Sequence, residues 1–74
     1  MTEYLAECYI ESTDNKDEDA IVEFLTSNKH VIKPSSSRRE DGHVSVMCGF
    51  NGFGVFKMII GMVEDRFPGK VSWR

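Results

Sequence analysis

Apolar periodicity along the chain switches in the order strand, helix, strand, strand, helix, strand, and that order predicts an α+β domain. Three observations carry the prediction. Residues 3–11 and 43–48 alternate with period two, residues 20–25 and 55–67 repeat at helical spacing, and Asp41-Gly42 marks a hairpin. The simplest packing of these elements is the ferredoxin-like βαββαβ arrangement, a four-stranded antiparallel sheet with both helices on one face. Right-handed crossovers then put the first and third strands in the centre, with the second and fourth at the edges.

The first strand, residues 3–11, places Tyr4, Ala6, Cys8 and Ile10 on the core face and Leu5, Glu7, Tyr9 and Glu11 on the other. Asp14 or Asn15 is positioned to cap the first helix, and Asp17, Glu18 and Asp19 suit its positive N-terminus. Ala20, Ile21, Phe24 and Leu25 form its apolar stripe, and Asn28 is expected to end it in a left-handed conformation. Residues 30–33 read as a short strand, held to an edge by Pro34, which has no ladder donor. The polar, basic run over residues 35–40 is expected to be an exposed loop, followed by a two-residue turn at Asp41-Gly42.

Alternation resumes at residues 43–48, with Val44, Val46 and Cys48 inward and His43, Ser45 and Met47 outward. A glycine-rich loop, containing Phe50 and Phe53, is expected to lead into the second helix. Val55, Met58, Ile59, Met62, Val63 and Phe67 follow the i, i+3, i+4, i+7 pattern of its buried face, and Phe56 and Ile60 sit beside that stripe and widen it. Pro68-Gly69 stops that helix, and residues 70–74 alternate as a last strand with Val71 and Trp73 on one side.

At 74 residues the chain is expected to be a single domain, residues 1–74, with a core small enough that nearly every large apolar side chain is needed in it. The formal charge of −3 argues against general phosphate-backbone binding. Acids crowd the first third, whereas Lys29, Lys33, Arg38, Arg39, Lys70 and Arg74 come later, a division suited to an oppositely polarised partner. No basic start or apolar h-region precedes the first strand, so a complete cytoplasmic chain with reduced, core-facing Cys8 and Cys48 is expected. No apolar run is long enough to span a bilayer.

The residues carry no recognisable chemistry. Gly49-x-x-Gly52-x-Gly54 lies between strand and helix, where free N–H groups could hold an anion, but the spacing is neither a dinucleotide fingerprint nor a P-loop. Turn geometry explains those glycines better. His30 and His43 lack metal-ligand spacing, and the core-facing parity of Cys48 argues against a nucleophile. No cofactor is expected.

The run Asn51 to Met58, NGFGVFKM, resembles the RNP1 signature of RNA-recognition motifs at Gly52, Phe53 and Gly54, and that family has the same element order. The resemblance implies RNA stacking on the open sheet face, with Tyr9 the available ring of the first strand. The run departs from the signature at Asn51, Val55 and Met58, and it opens the second helix rather than lying on the third strand.

The leading expectation is therefore a non-enzymatic module that binds another protein. It would act as a regulator or inhibitor of a larger complex, as small phage proteins do to host enzymes. Leu5, Tyr9, Met47, Phe50 and Phe53 are the candidate contacts, with Arg38 and Arg39 steering. A homodimer through the sheet face is a related expectation. The alternative is nucleic-acid binding by the same face with Lys33, Arg38 and Arg39.

Overall fold

The computed structural model describes residues 3–74; Met1 and Thr2, the start of the segment read for a leader, lie outside the described residues. Six elements occur in the expected order: β1 (Tyr4–Ile10), α1 (Asn15–Ser27), β2 (Ile32–Arg38), β3 (Val44–Phe50), α2 (Phe53–Arg66) and β4 (Val71–Trp73). The strands form one antiparallel sheet in the order β2-β3-β1-β4, a ferredoxin-like fold with central β1 and β3.

The core follows from strand parity. Ala6 lies opposite Cys48 and Cys8 opposite Val46, and directly opposed residues share a face. Ala6, Cys8, Ile10, Val46, Cys48 and Phe50 therefore line one side. They pack against Ile21 and Leu25 of α1 and Phe56, Ile59 and Val63 of α2. Burial pushes the Cys8 and Cys48 thiols up to about 12, because an apolar interior disfavours the thiolate. Both cysteines are unpaired.

Asp14 caps α1, its carboxylate accepting from the Lys16 N–H at 2.7 Å. Asn28 ends the helix differently from expectation: its φ is −82°, not left-handed. Its side chain accepts from the His30 N–H at 2.9 Å, and its carbonyl accepts from the Val31 N–H at 3.1 Å. That local turn makes a left-handed cap unnecessary.

The largest departure is β2. Residues 35–38, expected in a loop, are strand paired with β3. Their backbone pairing is decided by β3, and an edge strand has little need of apolar side chains. Pro34 falls at a register irregularity between Ile32 and Ser35, beside Lys33 at φ 47°. The hairpin also gains a residue: Arg39 N–H donates to His43 O at 2.7 Å and Gly42 N–H to Arg39 O at 2.9 Å. The loop is thus Glu40-Asp41-Gly42, and Gly42 supplies the left-handed closing position at φ 90°.

β3 likewise runs through Gly49 and Phe50, two residues beyond the expected alternation. Parity with Val46 and Cys48 sends Phe50 inward, where it is fully buried. Its ring lies 5.2 Å from Phe56 and 6.2 Å from Trp73, centroid to centroid. Phe50 therefore cannot serve as a partner contact. On α2 the buried residues are Ile59 and Val63 of the expected stripe together with Phe56 from beside it. That rotation of the stripe leaves Met58 and Met62 exposed instead of in the core.

Phe50→Ala should destabilise the fold by about 3–5 kcal/mol, the cost of emptying a filled aromatic site. Urea unfolding followed by circular dichroism checks it; a loss below about 1 kcal/mol would mean the core closes without this ring.

Candidate functional site

The face of the sheet opposite the helices carries Leu5, Glu7 and Tyr9 on β1, Ser45, Met47 and Gly49 on β3, and Ser35 and Ser37 on β2. Ser72 lies opposite Tyr9, and the Arg74 backbone pairs with Glu7, so both also belong to this side. The face divides into a polar half and an apolar half.

Tyr9 anchors the polar half. The Arg74 guanidinium carbon sits 3.9 Å from its ring centroid, and the His43 ring is 5.1 Å away. Its hydroxyl donates to Asp41 Oδ2 at 2.7 Å, and Asp41 Oδ1 accepts from the His43 N–H at 3.0 Å. His43 Nδ1 lies 3.0 Å from the Ile10 carbonyl. That oxygen can only accept, so Nδ1 carries the proton. Ser72 donates to Glu11 at 2.8 Å, and Arg39 pairs with Glu7 at 2.5 Å. The hydrogen bond to Asp41 raises the Tyr9 phenol above its ordinary range, and the same bond holds the Asp41 carboxyl below its own.

This network corrects the expectation for Tyr9. Its parity is as expected, but only 5% of the residue is exposed, because Arg74, His43 and Asp41 cover it. Arg38 and Arg39 separate as well. Arg39 belongs to the open face. Arg38, opposite Val44, belongs to the helix-covered face. There it donates to Gly42 O at 2.7 Å and approaches the buried Glu18 carboxylate at 3.5 Å.

The apolar half is formed by Leu5, 63% exposed, and Met47, 48% exposed. Leu5 opposes Gly49 and Met47 opposes Glu7, which makes the two side chains diagonal neighbours across the central strands. A Cβ on Gly49 would come within 3.1 Å of the Glu3 carboxyl carbon, which places that acid at the same end. Phe53 opens α2, on the helix side of this end, and is 55% exposed. Its ring meets Tyr4 edge-on at 5.3 Å, and the Lys57 ammonium lies 5.8 Å from its centroid.

Known proteins give no guide here. The chain matches no family model, no curated protein and no solved structure. Among the described residues no helix is long and apolar enough to cross a membrane.

Of the residues singled out from sequence, the structure thus brings Leu5 and Met47 together, leaves Phe53 exposed nearby, covers Tyr9 and buries Phe50. The RNP1-like run opens α2, so its Phe53 stands on no strand. Gly49 lies within β3 and only Gly52, at φ 102°, turns the chain into the helix, so the three glycines do not form one loop. Asp41 and Arg74 were missed as partners of Tyr9. The signal for Arg74 was present: Val71 and Trp73 facing the core put Ser72 and Arg74 on the open side.

The shifts in Tyr9 and Asp41 have opposite consequences with pH. A lowered Asp41 pKa stabilises the fold at neutral pH, and that contribution is lost as pH falls through the folded value. A raised Tyr9 pKa contributes below its unfolded value of 10.0 and is lost as pH rises through the folded value. Asp41→Asn should therefore lower the melting temperature at pH 7 and converge on wild type in acid. Tyr9→Phe should converge in strong alkali; parallel melting-temperature curves at all pH would show that the pair does not act as described.

Proposed function

We propose that this chain is a non-enzymatic protein-binding module, a regulator or inhibitor of a larger protein, and that it docks through the end of the sheet carrying Leu5 and Met47. The observation behind this reading is the pairing of two exposed apolar side chains on the two central strands. Central strands hold side chains with little freedom to reorganise, so little ordering entropy is lost on binding. Glu7 beside them is neutralised by Arg39, which removes one desolvation cost of covering this surface. Phe53 and Tyr4 flank the same end from the helix side, so one partner can engage both groups.

Nucleic-acid binding by the same face is less well supported. Arg38, Arg39 and Lys70 lie in ion pairs with Glu18, Glu7 and Asp17. Arg74 is stacked on Tyr9, so of the cations named for this reading Lys33 alone lies outside the ion pairs, and among the described residues the open face offers no uncovered ring for a base. The cytoplasmic setting proposed with this function is supported by two thiols left unpaired in the core.

A partner captured by the tagged chain should be lost, or bound at least ~10-fold more weakly, by the double variant Leu5→Asp/Met47→Asp, with circular dichroism unchanged. Phe53→Ala should weaken capture less, and Arg38→Ala should leave it intact. Undiminished capture by the double variant would overturn the assignment of this surface, and capture that depended on added RNA would favour the nucleic-acid reading.

A further inference from the structure

β4 is shorter than the strand it borders. Its pairing with β1 sets Val71 opposite Ile10 and Trp73 opposite Cys8, and closes where Glu7 and Arg74 exchange both hydrogen bonds at 2.9 Å each. On its other side β1 stays paired with β3 as far as Tyr4. Backbone groups of alternate residues point to the same side of an antiparallel strand. The Glu7 N–H and C=O point towards β4, so those of Leu5 point the same way, past the last pair that β4 makes. Among the described residues no strand pairs with Leu5 on that side. A central strand therefore has a free edge over its first residues. Unlike the outer edge of β2, it carries no proline and no register irregularity to blunt it.

The side chains bordering this gap are exposed and apolar. Leu5, on the open face, is 63% exposed. On the helix side, Phe56 reaches Trp73 of β4 at 5.3 Å and stacks on Tyr4 at 4.8 Å. Phe53, about one turn earlier in α2, meets Tyr4 at 5.3 Å, beyond the end of β4, and is 55% exposed. The side of α2 that faces α1 is marked by the Arg66 guanidinium, 5.3 Å from the Phe24 ring centroid. Phe53 lies roughly 140° around the helix from Arg66, on the flank that overhangs the gap.

We infer that this free edge of β1 accepts an extended segment of the protein partner, running antiparallel to β1 and continuing the line of β4. This mode of docking rests on the protein-binding function proposed for the chain and specifies the partner's chemistry. Leu5 fixes the register, because the segment residue opposite it exchanges both backbone bonds with it, as Arg74 does with Glu7. That residue shares the open face with Leu5 and is apolar. The next one, opposite Tyr4, points to the helix side against the exposed ring of Phe53 and is aromatic. The third lies opposite Glu3 on the open side and is basic. Glu3 is exposed and outside the ion pairs of the described residues, whereas Glu7 is already held by Arg39. An acid at that third position would face Glu3 directly, and like charges directly opposite are destabilising.

Two synthetic peptides and the isotope-labelled full chain test this by NMR. One is acetyl-Val-Phe-Lys-Thr-amide; the other is the same peptide methylated on the valine nitrogen, which removes the donor to the Leu5 carbonyl. The first should give saturable amide shifts, largest at residues 3–7 and 53–57, and slow exchange of the Leu5 amide at least ~10-fold at saturation. The methylated peptide should bind at least ~10-fold more weakly, since a carbonyl covered without a partner costs more than about 1.4 kcal/mol. No saturable shift up to about 10 mM, or equal binding of the two peptides, would overturn strand addition. Partner capture by Leu5→Asp/Met47→Asp separates the two ways of failing. Capture lost in that variant, with no peptide binding to wild type, removes strand addition and leaves the Leu5–Met47 surface standing. Undiminished capture removes the surface and this mode of docking with it.

Discussion

Ala6 opposite Cys48 and Cys8 opposite Val46 is the pairing on which both faces of this molecule depend. Side chains alternate along a strand, so a slip of β1 by one residue against β3 would turn every β1 side chain to the other face. Leu5, Glu7 and Tyr9 would be driven under the helices, and Ala6, Cys8 and Ile10 would be put into water. The register is held by what it buries. Ile10, Cys8, Val46, Cys48 and Phe50 are all fully buried against α1 and α2. In a chain of 74 residues, few other apolar contacts could compensate for losing that set.

The same register decides which charges remain available. Glu7 and Arg39 meet on the open face, and Tyr9 is enclosed by Asp41 from the hairpin and Arg74 from beyond β4. Two separate segments are thereby tied to the central strand through one aromatic ring. Their charges are spent on one another, and the surface left without internal partners is apolar: Leu5 and Met47. This distribution of paired charge and bare hydrophobes is what the proposed protein partner rests on.

Much of the fold was legible because period-two and helical patterns report burial directly. The central strands, both helices and the stop at Pro68-Gly69 were all readable in this way. The errors have physical causes. Ser35, Ser36 and Ser37 gave no apolar alternation, because an edge strand is recruited by its neighbour's backbone rather than by its own side chains. Gly49 disguised the end of β3, and the strand parity that buries Phe50 passes straight through it. On α2 a broad apolar face allowed two adjacent readings, and only contact with the sheet selects Phe56 over Val55. For the candidate site, parity alone found Leu5 and Met47. It could not show that Tyr9 is covered, since that cover comes from Asp41 and Arg74, distant in sequence and joined to Tyr9 only by the strand order.

Methionine placement offers the most direct test of the central claim, because Met47 marks the apolar end of the open face while Met58 and Met62 are exposed on α2, in the helix layer on the other side of the sheet. The measurement is methyl NMR of the methionine-labelled chain, at one fixed concentration, with and without native lysate. Selective broadening of Met47, with Met58 and Met62 unchanged, is the predicted result. A sharp Met47 signal in a sample where the chain is bound to a partner would contradict it.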